Sequence, residues 1–135
     1  MKYENEREIL EVVHSFENST ISRDDWRHAE HLTVALYYLL HHDYETALTK
    51  MREGIFNLLK SFGVDLLKEM PYHETLTVFW TRTIFDFYKS KIDCPVVEMC
   101  NELVGKFDKD YPLRFYSREL LFSDEARKVF IDGDL

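Results

Sequence analysis

The amino-acid sequence predicts an all-α protein, a single-domain helical bundle of about six helices over residues 1–135. Three observations predict this class. Apolar residues recur at spacings of three and four, which places them on one face of an α-helix, whereas strands alternate with a period of two. Only four Gly and three Pro interrupt the chain, and 45% of the residues are hydrophobic. A chain of this length can bury a core without a disulfide or a structural metal.

The first three helices follow from apolar stripes and capping residues. The first is predicted over residues 6–18 and the second over residues 26–42. Asp43 can cap a third helix, and Gly63 stands where a glycine in the left-handed conformation would end it. The stripes consist of Ile9, Val12, Val13 and Phe16; of Leu32, Ala35, Leu36, Leu39 and Leu40; and of Ala47, Leu48, Met51, Ile55, Leu58, Leu59 and Phe62.

A short helical turn is expected over residues 64–70, followed by a fourth helix from Pro71 to Ser90. Proline is favoured in the first turn of a helix, because its missing N–H has no partner there. A strand over Thr75–Ile84 is the competing interpretation, since Thr, Val, Phe, Trp and Ile favour strands. The apolar spacing is nearer 3.6 than 2, and a lone strand in a helical chain has no partner, so we prefer the helix.

Three shorter elements complete the predicted bundle. A fifth helix begins near Pro95 and runs to Phe107. The sequence Asp110-Tyr111-Pro112 then interrupts the helical pattern. Ser117 opens a short turn, and Ser123 opens a last helix that ends near Phe130, since serine is a favoured helix cap.

The charge and the apolar runs restrict the partners and the location. Twenty-five acidic residues against 17 basic ones give a net charge of −8, and no run of Lys and Arg exceeds two. Such a chain repels phosphate, so we expect no nucleic-acid partner. The longest apolar stretch, residues 32–40, is too short to span a bilayer, and the first eight residues lack the apolar core of a signal peptide. We therefore expect a cytoplasmic protein with no membrane partner, whose Cys94 and Cys100 are free thiols.

Two stretches place polar side chains beside the core. His28 and His31 are three residues apart, so both flank the buried stripe of the second helix. His73 lies in the first turn of the fourth helix and shares a face with Thr77 and Trp80. A histidine buried without a hydrogen-bond partner costs several kcal/mol, so each of the three needs one.

A metal is one partner that would satisfy all three. His28, His31 and His73, with Glu74 near by, would offer three nitrogens and an oxygen if the two helices bring them together. Imidazole and carboxylate suit a divalent transition metal such as zinc, iron, nickel or copper. In a catalytic site His73 or Glu74 would act as the general base, because a histidine or a desolvated glutamate titrates near neutrality.

The same stretches also fit a pocket for a small molecule without a metal. Trp26, Tyr72, Thr77 and Trp80 would form its walls. Arg52 is also assigned to this pocket. One of Arg52, Arg82, Arg114 and Arg118 could pair with Glu30 or Glu74, or receive a substrate carboxylate through a bidentate fork. The other aromatic residues at helical spacing, Phe79 and Phe87 among them, are interpreted as core.

A non-enzymatic protein-interaction module is the alternative function. The H-x-x-H spacing lacks the i, i+4 geometry of the metalloprotease motif, so the signal for metal is weak. The three histidines would then form a structural hydrogen-bond network, and the working surface would lie on the outside. An acidic face of such a module would attract a basic partner.

Three blocks of sequence, in the order in which they occur, carry a resemblance to a protein family. They are Trp26-x-His28-x-x-His31-Leu32, Tyr72-His73-Glu74-Thr75-x-Thr77-x-x-Trp80 and Tyr116-Ser117-Arg118-Glu119. Together they resemble an uncharacterised family of small bacterial helical proteins, over roughly residues 12–130. The resemblance implies a helical fold and marks the paired histidines and the Tyr-His-Glu-Thr block as signature residues. It implies no activity.

Overall fold

The computed structural model describes residues 2–65, 71–91 and 93–135. Within these residues the chain forms seven α-helices and a 3-10 turn and contains no strand, so the predicted all-α class is confirmed. The helices are α1 (Glu6–Glu17), α2 (His28–His41), α3 (Tyr44–Ser61), α4 (Glu74–Lys89), α5 (Val96–Lys106), α6 (Arg118–Leu121) and α7 (Asp124–Lys128), and the 3-10 turn (Tyr111–Arg114) lies between α5 and α6.

Capping residues set the ends of the long helices. At the start of α1 the Asn5 side chain accepts a hydrogen bond from the Glu8 amide, and the Glu8 carboxylate accepts one from the Asn5 amide. Asp43 caps α3 as predicted, since its carboxylate accepts from the Thr46 amide at 2.8 Å. Gly63 follows α3 with φ of 76°, the left-handed conformation that glycine adopts without steric cost.

Two predicted helix starts are wrong by two or three residues. The second helix begins at His28 instead of residue 26. The fourth begins at Glu74 instead of Pro71, because the extended residue His73 occupies its N-cap position and accepts a hydrogen bond from the Leu76 amide. A histidine at this position is an uncommon cap, so the proline before it was the stronger sequence signal. Most of the turn expected over residues 64–70 lies outside the described residues.

Helix α2 forms the centre of the bundle. It packs against α1, α3, α4 and α5, and eight of its 14 residues are buried. An apolar helix without a continuous polar face is stable only when neighbours surround it. No helix of the described residues is long and apolar enough to cross a bilayer.

A buried polar cluster ties the amino-terminal segment to α2 and α5. The Tyr3 hydroxyl lies 2.9 Å from the Thr33 hydroxyl, which donates to the Ala29 carbonyl at 2.8 Å. The Cys100 thiol lies 3.4 Å from the same Thr33 oxygen. Both cysteines are free thiols in the structure, as predicted. The cluster satisfies polar groups that would otherwise lower the stability of the core.

Candidate functional site

The three histidines predicted as metal ligands have three different surroundings. The Nε2 atom of His28 lies 3.0 Å from the Phe107 carbonyl oxygen, and the His28 ring packs on Trp80 with 4.8 Å between ring centroids. His31 faces the Trp26 ring at 5.9 Å, and its Nε2 atom is buried with no hydrogen-bond partner in the described part of the chain.

His73 uses both of its ring nitrogens inside the fold. Its Nδ1 accepts from the Leu76 amide at 3.1 Å, and its Nε2 donates to the Leu121 carbonyl at 2.5 Å. Because Nδ1 accepts, the proton of the neutral ring lies on Nε2. Neither nitrogen is left for a metal or a substrate in this arrangement.

The expected convergence of His28, His31 and His73 on one metal is wrong. Over residues 2–65, 71–91 and 93–135 no group of three or more His, Cys, Asp or Glu side chains is placed to hold a metal ion. The physical reason is visible in the contacts. His28 and His73 meet their need for a partner at the backbone carbonyls of two different segments.

The Glu74 carboxylate is also fully engaged. Arg52 Nε lies 3.0 and 3.1 Å from its two oxygens, and Arg52 Nη2 lies 2.5 Å from one of them. The Tyr72 hydroxyl donates to the other oxygen at 2.7 Å, and the Tyr72 ring stacks on Phe56. Of the several arginine–glutamate pairings that the sequence left open, the structure contains the one between Arg52 and Glu74. A general-base role for His73 or Glu74 stays a prediction, and their contacts favour a structural role.

The residues predicted as pocket walls pack into the interior. Trp80 is 4% exposed and touches several aromatic rings, and the Thr77 hydroxyl donates to the His73 carbonyl inside its own helix. Trp26 stacks on Phe16 with 4.9 Å between centroids and 17° between planes. These side chains serve as core, and the clefts described below have other linings.

Burial lowers the pKa of all three histidines. The pKa of His31 falls to about 4, because burial disfavours its charged form and His28 adds a smaller repulsion. Burial also lowers the pKa of His28 and of His73, and their hydrogen bonds to Phe107 and Leu121 oppose this in part. The three rings are therefore neutral at pH 7.

A groove with aromatic walls lies along the outer face of α4. Its volume is about 390 Å³. The opposite wall comes from the end of α5 and from the 3-10 turn. We call it the aromatic groove, and its lining residues are Phe79, Thr83, Asp86, Phe87 and Ser90 of α4, and Lys106, Phe107, Tyr111 and Phe115 opposite them.

Two polar side chains of the aromatic groove are free. Neither the Thr83 hydroxyl nor the Asp86 carboxylate has a hydrogen-bond or ion-pair partner among the residues that the structure describes. The other threonines of α4 differ, because Thr75, Thr77 and Thr81 all donate to backbone carbonyls. The free pair lies three residues apart, hence on one face of the helix.

The basic side chains in and next to the aromatic groove lie on aromatic rings. Lys106 Nζ lies 5.7 Å from the centroid of Phe87 and 5.5 Å from that of Phe107. The Arg82 guanidinium lies 4.4 Å from the centroid of Phe130. Such cation–π contacts stabilise a cation at a ring face. The Asp86 carboxylate, in contrast, forms no ion pair with any cation of residues 2–65, 71–91 and 93–135.

Our sequence interpretation did not identify the aromatic groove. It assigned Phe79 and Phe87 to the core, which the structure confirms for Phe87, and Phe79 is partly buried and packs against the core. A signal was present. The residues at 79, 83, 86, 87 and 90 follow helical spacing and form a mixed apolar and polar stripe. Positions 79, 83, 86 and 90 lie opposite the buried stripe of Thr77, Trp80, Thr81 and Ile84, and Phe87 is itself buried at the edge between the two stripes.

Comparison with models of protein families, with curated proteins and with solved structures found no match to this chain. The resemblance to a bacterial family therefore stays a prediction.

Proposed function

We propose that this protein is a non-enzymatic module that binds a small molecule, and that the aromatic groove is its binding site. The observation that carries the proposal is an unpaired carboxylate, Asp86, in a groove with five aromatic residues in its walls. The ligand class that fits is an organic cation with an aromatic body.

The size and lining of the groove support a small ligand. Small-molecule sites are concave, measure roughly 300–1,000 Å³ and combine apolar walls with a few polar groups. The groove measures about 390 Å³, and Thr83 and Asp86 supply an acceptor and a negative charge beside Phe79 and Phe115. An aromatic ring can stack between such side chains in offset or edge-to-face geometry.

The charges support a cationic ligand. Lys106, which lines the groove, lies on the rings of Phe87 and Phe107. Arg82, next to the groove residue Thr83, lies on the ring of Phe130. Asp86 is left to pair with an ammonium group from outside. The net charge of −8 also raises the local concentration of small cations around the molecule.

The histidine contacts support a binding role over catalysis. His28 and His73 connect helix ends to backbone carbonyls, as the structural alternative predicted, and Glu74 is held by Arg52 and Tyr72. His28, His31 and His73, whose pKa values burial lowers, do not line the aromatic groove. Catalytic sites are usually where such groups collect.

A series of indole compounds tests the proposal. All four compounds contain the indole ring. Tryptamine is positively charged, tryptophan is a zwitterion, indole is neutral, and indole-3-acetate is negatively charged. Each is titrated into ¹⁵N-labelled protein while amide chemical shifts are recorded. We expect saturable shifts at Thr83, Asp86 and Phe115 with tryptamine, at a Kd on the order of 1 mM for a ligand of this size.

Asp86→Asn identifies the contribution of charge. A surface ion pair contributes up to about 1 kcal/mol, so the variant should bind tryptamine about fivefold more weakly and bind indole unchanged. Glu98→Gln, which removes an exposed carboxylate of α5 that does not line the groove, is the matched control. Equal affinity for tryptamine and indole-3-acetate, or shifts that never saturate, would overturn the proposal.

A further inference from the structure

The last seven described residues run back across the bundle without helical structure. After α7 the segment 129–135 passes the amino-terminal half of α4 and reaches residues 115–117, which precede α6. We call this segment the strap. Because the strap contains no helix, its contacts with α4 and with residues 115–117 hold it in place.

Hydrogen bonds dock the strap at two places. The Thr75 hydroxyl donates to the Val129 carbonyl at 2.9 Å and accepts from the Ile131 amide at 3.1 Å. Tyr116 donates its hydroxyl to the Ile131 carbonyl at 2.5 Å. The first half of the strap is therefore held by side chains that are themselves buried.

The second half docks on the exposed residues before α6. The Asp134 carboxylate accepts from the Ser117 amide and hydroxyl, both at 2.7 Å, and the Leu135 amide donates to the Phe115 carbonyl at 3.0 Å. Gly133 passes so close that a Cβ atom there would lie 2.2 Å from the Phe115 oxygen. Only glycine permits this approach without a shift of the backbone.

The strap also forms a wall of the space next to the aromatic groove. A cavity of about 260 Å³ continues from the groove past Phe115 and shares Phe79, Thr83 and Asp86 with it. Phe130, Asp132 and Gly133 of the strap line its far side. The strap thus limits how far the groove extends along α4, and its bond to Phe115 fixes the residue that separates the two spaces.

The local stability of the strap is low by comparison with the helices. Val129 is 52% exposed and Leu135 is 74% exposed, and none of the seven residues is fully buried. Segments with few buried apolar contacts and solvent-exposed hydrogen bonds open locally while the core stays folded. The strap can therefore open without unfolding of the bundle.

We propose that the strap is an autoinhibitory contact of the aromatic groove. In its docked state it closes the far side of the cavity next to Phe115, so it blocks ligands that are longer than the groove and this cavity together. Its release lengthens the space towards Thr75. The inference rests on the proposed function of the groove as the site of an aromatic cation. By linkage, a long ligand that needs the open state must in turn favour release of the strap.

Two cations of different length test the strap proposal and the groove proposal separately. Tryptamine fits within the groove, whereas N-(4-biphenylylmethyl)tryptamine carries two further rings in line, which extend past Phe115 and through the adjoining cavity to the strap. Gly133→Ala releases the strap by its clash with the Phe115 carbonyl, and Gly105→Ala, whose Cβ would meet open space, is the matched control. If the strap is open in about a tenth of the molecules, full release strengthens binding of the long cation about tenfold.

The expected result is a selective effect of Gly133→Ala. Binding of the long cation should strengthen by about threefold or more, binding of tryptamine should change by less than about twofold, and Gly105→Ala should change neither. If both cations bind the wild type but the variant does not favour the long one, the strap proposal is overturned and the groove proposal stands. If neither cation binds any variant, both proposals are overturned.

Amide hydrogen exchange of the free wild type and of Asp134→Ala tests the strap without a ligand. The amides of Ile131 and Leu135 should exchange by local opening, and therefore faster than the amides of α2. Their exchange rates should not change at low urea concentrations. Asp134→Ala, which removes both bonds to Ser117, should speed the exchange of Leu135 further. Exchange of the Ile131 amide only through global unfolding would overturn the strap proposal.

Discussion

The imidazole of His73 joins the start of α4 to the end of α6, because its Nε2 donates to the carbonyl of Leu121, 48 residues further along the chain. The Nδ1 atom of the same ring accepts from the Leu76 amide and caps α4. One neutral imidazole thus satisfies a helix amino terminus and a distant carbonyl. Protonation of Nδ1 would remove the cap, so the ring must stay neutral to do both.

Substitution of His73 should separate these two contacts. His73→Ala removes the cap and leaves the Leu121 carbonyl without its donor, and we expect a loss of about 2–4 kcal/mol in the free energy of unfolding. His73→Asn retains a side-chain cap but does not reach Leu121, so it should lose about half as much. Urea unfolding at pH 7 measures both. Equal stability of the two variants would contradict a capping role for Nδ1.

The histidines should also make the stability depend on pH. Burial lowers the pKa of folded His31 to about 4, whereas the unfolded chain has a value near 6.5. Between these values the unfolded state binds more protons, so the free energy of unfolding rises with pH over this window. The contribution of His31 is fully present above about pH 6.5, decreases on acidification towards pH 4, and amounts to about 3 kcal/mol at most.

His31→Leu tests this contribution directly. The His31 Nε2 atom is buried without a partner among the described residues, so an apolar side chain of similar volume should leave the stability at pH 7 unchanged or raise it. The fall in stability between pH 7 and pH 5 should be smaller than in the wild type. His28 and His73, whose pKa values are also lowered, account for the dependence that remains. Parallel pH profiles of the variant and the wild type would contradict the assignment to His31.

The fold could be predicted from the sequence because its helices carry local signals. Apolar stripes placed α1, α2 and α3, and Asp43 and Gly63 marked the two ends of α3 correctly. These features depend on residues close in the chain, so their physics is visible in sequence spacing. The pairing of Arg52 with Glu74 was only one of several that charge allowed, because charge alone does not choose between four arginines and two glutamates.

The site could not be predicted because it depends on contacts between distant residues. Sequence showed that His28 and His73 needed partners, but not that the partners are the carbonyls of Phe107 and Leu121. Any backbone carbonyl can accept a hydrogen bond, so no residue type marks the choice. Phe79 was assigned to the core for the same reason, since whether a second element covers a helix face is decided by the tertiary fold.

The buried hydroxyls of Tyr3 and Thr33 should be coupled. Thr33→Val leaves the Tyr3 hydroxyl, in a side chain 3% exposed, without its partner, and should cost about 1–3 kcal/mol. Tyr3→Phe should cost less, because Thr33 keeps its bond to the Ala29 carbonyl. In the double variant both polar groups are gone, so we expect a loss smaller than the sum by about 1 kcal/mol. Additive losses in a double-mutant cycle of urea unfolding would show that the two hydroxyls act independently.

The close packing of α3 on α1 depends on Gly54. A Cβ atom at this position would lie 2.3 Å from the ring of Phe16, which is 1% exposed and stacked on Trp26. Because the Phe16 ring has no free space, Gly54→Ala should force the two helices apart and lower the free energy of unfolding by about 1–3 kcal/mol, although alanine favours the helix. At Gly105 in α5 an added Cβ meets nothing, so Gly105→Ala should raise the stability by up to about 1 kcal/mol. Thermal and urea unfolding of the two variants compare these effects of the same chemical change. If both variants are more stable than the wild type, α3 does not approach α1 as closely as described.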